Sequence, residues 1–163
     1  MDSIRRQIVE FLPRLRRLAR ALARDPADAD DLVQLTVERA LARGAQWSPG
    51  TRLDSWMFKI MKNAWIDETR ARSRQGRIFV GDEAGQAVGF DGGGAMQARL
   101  EAAEVERAMA RLPQDQRLAV ALVLVEGLSY KEAARLLEIP EGTLTSRLVR
   151  GRAALLAQLE EVA

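Results

Sequence analysis

Two clusters of side chains in this 163-residue chain have the chemistry of nucleic-acid contact. Near the C-terminus, Thr143, Ser146, Arg147 and Arg150 recur at helical spacing and share one face. Short hydroxyls and guanidiniums in the first turns of a helix can reach base edges in a major groove, and the free amides there attract phosphate. The same four residues also suit the solvent face of an ordinary amphipathic helix, and the pattern alone leaves both readings standing. Upstream, the stretch from Arg52 to Arg77 carries seven cations, Arg52, Lys59, Lys62, Arg70, Arg72, Arg74 and Arg77, against Asp54, Asp67 and Glu68. Trp47, Trp56, Phe58 and Trp65 are interleaved with them. Cations for phosphates and aromatics for stacking are what an unpaired strand requires. Trp56 falls centrally on an apolar face and reads as core, Phe58 and Trp65 less so. Trp47, in the loop before that face, is the aromatic expected at the surface. Asp67 borders the apolar stripe, where a structural ion pair competes with a nucleic-acid contact.

Other chemistries are removed by what is missing. Cysteine and histidine are absent, so no disulfide framework, Cys/His zinc site, cysteine nucleophile or Ser-His-Asp triad can form. The glycines lack the spacing of a phosphate-cradling loop. No catalytic residue, metal ligand or cofactor is therefore expected, and a carboxylate-only site is the one enzymatic alternative left. No apolar run approaches the roughly 20 residues of a membrane-spanning helix. Met1-Asp2-Ser3-Ile4-Arg5-Arg6 lacks a signal peptide's apolar core, so a cytoplasmic location without membrane insertion is expected.

Charge is unevenly placed. Residues 1–75 hold 15 basic and 10 acidic side chains, residues 76–99 hold 2 and 3, and residues 100–163 hold 8 and 10. Arginine supplies 22 of the 25 cations, and its bidentate fork suits phosphate and guanine.

The elements that must position these residues are helical. Ile4, Ile8, Phe11, Leu12, Leu15, Leu18, Ala19 and Leu22 set a 3.6-residue period that Pro13 is expected to interrupt. Asp25-Pro26 breaks it, and a second helix is predicted from about Ala27 to Arg43, with Asp28, Asp30 and Asp31 at the positive end of its dipole. Gly44 stops it. A third is predicted over Leu53 to Arg72, where Lys59, Asn63 and Arg70 share the polar strip. Seven of the twelve glycines fall in residues 76–99, and no period survives there, which predicts a flexible linker. Beyond it, helices are predicted over roughly Ala98 to Arg111 and Gln114 to Val125. Ser129-Tyr130-Lys131-Glu132 then forms a capping box that opens a helix ending near Glu138. A last helix starts near Glu141. Short helix, tight turn and longer final helix spell a helix-turn-helix. The fold class is all-α, two small helical domains joined by a Gly-rich linker, at 1–75, 76–99 and 100–163.

These motifs, in this order, resemble the extracytoplasmic-function (ECF, group IV) RNA polymerase sigma factors of the sigma-70 family. Asp28-Ala29-Asp30-Asp31-Leu32-Val33-Gln34 is similar to that family's polymerase-clamp helix. Leu53 to Asn63, followed by Ile66-Asp67, resembles its promoter-melting segment. Leu112-Pro113, Glu126 to Ala134 and Gly142 to Leu148 resemble its −35-reading domain. The Trp47-Ser48-Pro49-Gly50-Thr51 loop is similar to that of the alphaproteobacterial general-stress branch.

The resemblance implies a two-domain protein that binds core RNA polymerase and promoter DNA, directs initiation in a stress or envelope response, and is restrained by an anti-sigma factor. The first domain (sigma-2-like) would bind and open the −10 element through Trp47, Lys59, Asn63, Arg70, Arg72 and Arg74, with a flipped base held by the loop Gln46 to Arg52 and by Asn63. The second (sigma-4-like) would set Thr143, Ser146, Arg147 and Arg150 into the −35 duplex. Asp30, Asp31, Gln34 and Glu38 would face polymerase. Promoter elements about 17 base pairs apart are separated by roughly 58 Å at ~3.4 Å per pair. A flexible 24-residue linker averages roughly 25–30 Å but extends to roughly 80 Å, so it can span them. In the free chain the two domains could instead fold together and hide their DNA faces. Thr145 and Val123 stand where family members often carry a basic residue, which predicts weak DNA binding by the second domain alone. Two rivals remain: a sigma-factor mimic that titrates an anti-sigma factor, and a helix-turn-helix repressor.

Overall fold

In a computed structural model of the chain, residues 2–47, 52–74 and 93–162 are described. Among them every regular element is helical. Helix α1 spans Asp2–Leu22 and continues through Pro13 as one unbroken element. Proline removes one hydrogen bond and crowds the preceding turn, at a cost of about 3 kcal/mol. Ile4, Ile8 and Phe11 before it and Leu15, Leu18 and Leu22 after it are all buried on one side. At about 1.5–3 kcal/mol per buried side chain, that stripe outweighs the break.

Helix α2, Pro26–Ala42, begins with proline at its first position and Asp25 as N-cap, whose carboxylate accepts the Asp28 amide at 2.8 Å. A short 3-10 turn, Gly44–Gln46, leads away from it. Helix α3, Leu53–Arg74, buries Met57, Phe58, Ile60, Met61, Ala64 and Trp65 against its neighbours. Phe58 and Trp65 are thus more deeply buried than Trp56, which is half-buried. This reverses the expected ranking, because the shoulder of α3 as well as its centre is covered. Residues 48–51 and 75–92 lie outside the described residues, and with them most of the expected linker. Helix α4 covers Gly93–Ala110, so residues 93–99, expected in the linker, are helical.

The second block continues with α5, Gln114–Val120, which widens into a π-helical turn over Ala121–Val125. The Glu126 amide accordingly reaches back to the Ala121 carbonyl at 3.0 Å. Gly127 takes φ +76° to reverse the chain, a conformation glycine adopts at no steric cost. Helix α6, Tyr130–Leu137, starts at the expected capping box: the Glu132 amide donates to Ser129 Oγ and the Ser129 amide to Glu132 Oε1, both at 3.0 Å. It ends at Glu138, a left-handed C-cap with φ 60°. Helix α7 then runs from Glu141 to Val162. Gly151 lets α7 approach α5: a Cβ there would lie 2.8 Å from Val120 Cγ2.

The two blocks pack together, and their apolar side chains form one continuous core. Helix α1 meets α4, α5 and the π turn, while α3 meets α6. The closed arrangement that was one possibility for the free chain is the one adopted.

Candidate nucleic-acid and polymerase interfaces

The polar residues of α7 project from its first three turns. Leu144, Leu148 and Gly151 face inward and are buried. Ser146 and Arg150 are exposed on the other side, while Thr143 and Arg147 are half-buried. Arg147 Nε lies 3.5 Å from Asp115 Oδ2 within the same block. This is a cationic, hydroxyl-bearing face on a helix set by a tight turn, with the geometry needed to enter a major groove.

On α2, Ala29, Leu32, Thr36 and Ala40 are buried, and the Thr36 hydroxyl is satisfied by the Leu32 carbonyl at 2.7 Å. That orientation leaves Asp30, Asp31, Gln34 and Glu38 exposed on the outer side. Gln34 Nε2 sits 3.5 Å from Glu38 Oε2. The result is an acidic and amide strip on a rigid helix.

The cations of α3 divide. Lys59, Asn63, Arg70 and Arg74 are exposed. Arg72 instead turns towards α2, its Nη2 3.2 Å from Asp28 Oδ2, and Arg39 pairs with Asp67 at 3.4 Å. Asp67 is therefore in an ion pair. Trp47 is half-buried and packed against the core, with its indole N–H buried and unpaired among the described residues. Its surface position, expected from the sequence, is corrected: the short 3-10 turn ahead of it swings the ring inward.

A fourth set of residues, which the sequence did not single out, joins the blocks. Glu126, at the end of the π turn, has a side chain with 0% exposure. Its carboxylate accepts Arg17 Nε at 2.9 Å, Arg17 Nη2 at 3.1 Å and Arg14 Nε at 3.4 Å. Arg14 also stacks near Phe11 and Phe58, 5.1 and 5.2 Å from their ring centroids, a cation–π arrangement. Arg117 of α5 donates from Nη1 to the Leu22 carbonyl at 2.7 Å, completing the end of α1, and lies over the Trp65 ring. Burial pulls its guanidinium down to about 10.

At the other end of the seam, Arg52 bonds Asp54 at 2.7 Å and also reaches Glu132 of α6. Burial pushes the Asp54 carboxyl upward, but Arg52, the Ser55 amide and Arg14 together hold it below its ordinary value. Lys59 Nζ lies 3.0 Å from Glu138 Oε2, which holds the Glu138 carboxyl low. Lys62 is only 9% exposed, and burial lowers its ammonium, with Glu138 opposing and Lys59 adding to the shift. The i, i+3 pair Arg14 and Arg17 beside an apolar stripe, and a glutamate before the turn glycine, were the available signals. Neither names its partner, 109 residues away for Arg17 and Glu126.

Two family descriptions match the chain. Residues 8–62 match the sigma-2 domain of PhyR, and residues 102–155 match sigma-70 region 4. The ECF RNA polymerase sigma factor EcfG of Rhodopseudomonas palustris is 39% identical over 97% of this chain and 86% of its own length. The ECF sigma factor SigM of Mycobacterium tuberculosis is 34% identical over 86% of this chain and 69% of its own. Among solved structures, the sigma factor RpoE of Bartonella quintana, in complex with the anti-sigma factor NepR, superposes with a TM-score of 0.80. The two are 27% identical, over 98% of both chains. CnrH, in complex with the cytosolic domain of CnrY, gives a TM-score of 0.69 at 26% identity, covering 98% of this chain and 91% of its own.

Proposed function

Because the chain belongs to the ECF RNA polymerase sigma factors of the sigma-70 family, we propose that it binds core polymerase in the cytoplasm and divides promoter reading between its two blocks. It is a transcription regulator rather than an enzyme, and the finer placement is group IV, with a role in a stress or envelope response. The first block, residues 1–75, engages the −10 element through Lys59, Asn63, Arg70, Arg72, Arg74 and Trp47. The second, residues 100–163, reads the −35 duplex through Thr143, Ser146, Arg147 and Arg150. Asp30, Asp31, Gln34 and Glu38 meet the polymerase, and residues 76–99 act as the tether. An anti-sigma factor holds the chain in check, in keeping with the two structural neighbours, each solved with such a partner or a partner's cytosolic domain.

The observation that carries this reading is the outward face of α7. Ser146 and Arg150 stand exposed on the first turns of a helix that follows a capped short helix and a tight turn. That arrangement suits something long and anionic lying against it. The closed packing favours one rival, a mimic that offers a sigma-like body to an anti-sigma factor without opening promoters. Adding the pure chain to core polymerase separates them. Promoter-specific transcripts are expected, and their absence under all conditions would overturn this reading in favour of the mimic or the repressor.

A further inference from the structure

Helix α6 lies along α3 with its two ends marked by carboxylates. Glu132, in its first turn, reaches Arg52 just before α3, and Glu138, at its C-cap, sits 3.0 Å from Lys59. Lys62, the next cation along α3, is buried and lies within reach of the Glu138 charge. The spacing matters. Of three cations in the segment richest in cations and aromatics, two, Arg52 and Lys59, stay half-exposed but are paired with a helix from the block with the acid excess, and the third, Lys62, is buried. Further along, Glu126 holds Arg14 and Arg17, so each of these seam contacts pairs a first-block cation with a second-block carboxylate.

We propose that this closed body is a self-masked state, in which Glu132 and Glu138 occupy on Arg52, Lys59 and Lys62 the positions that phosphates of the −10 strand take when the chain is open. Helix α6 and single-stranded DNA then compete for the same cations. The proposal rests on the −10 reading of α3 given above. It adds Arg52 and Lys62 to the strand-binding set and gives α6 a second task besides supporting α7. Competition of this kind makes the free chain a poor binder of stray single strands. Polymerase, by drawing the blocks apart, exposes the cations where the strand separates. Both the pairs and the strand contacts are ionic, so the choice between them turns on how many phosphates are presented in register.

The absence of cysteine allows a clean test in the full chain. Ala42→Cys and Ala153→Cys place two labels on exposed positions of different blocks, and energy transfer between them reads closure. Glu132→Gln with Glu138→Gln removes both charges and keeps the shapes, and glutamine retains the capping box at Ser129. The expected result is a longer label separation and a threefold to thirtyfold (roughly) gain in affinity for a −10 single-stranded oligonucleotide, the range that two half-exposed pairs allow. Glu138→Gln alone should give part of the gain, and guards against a folding defect in the double variant. Unchanged oligonucleotide affinity, or an unchanged separation, overturns the proposal. The underlying reading fails differently. If the double variant opens and gains affinity but Lys59→Ala leaves promoter opening in the polymerase complex unchanged, the −10 assignment falls and the mask stands.

Discussion

The two faces proposed to meet DNA are held in opposite states. On α7, Ser146 and Arg150 are exposed, and Arg147 pairs only with Asp115 of its own block. On α3, Lys59 is paired across the seam, Lys62 is buried and Arg52 is shared between Asp54 and Glu132. A duplex-reading face works on DNA that is always present in its final form, so it can be standing ready. A strand-gripping face has no partner until base pairs part, and here Arg52, Lys59 and Lys62 are engaged by the other block until then. The difference lies in the charge of the opposing element: α6 presents carboxylates to α3, whereas nothing described lies over the outer side of α7.

The largest effect should come from Glu126. Removing one partner of a buried ion pair costs about 3–5 kcal/mol. Arg14 and Arg17 keep part of their surface in water, at 36% and 51% side-chain exposure, so the lower end applies. Glu126→Ala should lower the unfolding free energy of the closed chain by about 3 kcal/mol in denaturant titration, and split one transition into two as the blocks uncouple. A single transition at unchanged midpoint would mean that the apolar core, not the charge cluster, joins the blocks.

Gly151 tests the second block by itself. An added methyl meets Val120 Cγ2 at 2.8 Å and Gln116 Cβ and carbonyl at 3.2 Å. Overpacking of this kind costs about 1–3 kcal/mol. Gly151→Ala should reduce stability by about 2 kcal/mol and weaken −35-dependent initiation, while the label separation across the seam stays as it was. A shift in that separation would show that α5 and α7 transmit strain to α1, and would blur the contrast between the two faces.

How much of this could be read in advance follows from the range of each interaction. Helix periods, the Ser129–Glu132 capping box, the Asp25-Pro26 start of α2 and the inward stripe of α7 are local, and all could be read from spacing. Pro13 misled because its local penalty is opposed by burial along the whole of α1, which depends on tertiary partners. Phe58 and Trp65 were under-ranked for the same reason, since their cover is Phe11, Arg14 and Arg117 from other helices. The seam was the least legible part. Glu126 and Arg17 carry no pattern that joins them, and a solvated face and a masked face have the same composition.

Arg150 sharpens the comparison at the open face. Arginine against a guanine edge discriminates by about 1–3 kcal/mol. Arg150→Ala should reduce selectivity among −35 variants by roughly tenfold in a reconstituted transcription assay, with core binding unchanged. Asn63→Ala, on the other face, should impair promoter opening more than closed-complex formation. Equal loss of both would make Asn63 a folding residue, and unchanged −35 selectivity would return Arg150 to the solvent.

Acid should separate the seam from the periphery by sign, with the smallest effect of all. Glu68 and Glu106 are raised above their ordinary value of 4.5, chiefly by burial, although Arg72 and Arg39 oppose this at Glu68, as do Arg20 and Arg107 at Glu106. Their folded forms take up protons before the unfolded chain does, so between the raised values and 4.5 these two groups add stability as pH falls. Asp54 and Glu138 behave oppositely. Each is held below its ordinary value, 3.8 and 4.5 respectively, Asp54 facing Arg52 and Arg14, Glu138 facing Lys59 and Lys62. Their contribution is full above those values and is lost as pH falls through the lowered ones. Label separation should therefore stay constant through mild acid and lengthen only below about pH 4, while unfolding stability holds or rises slightly before it drops. Opening that began in mild acid, well above the ordinary values of Asp54 and Glu138, would mean that groups other than the α3–α6 pairs govern closure, and the charge asymmetry between the two DNA faces would lose its explanatory force.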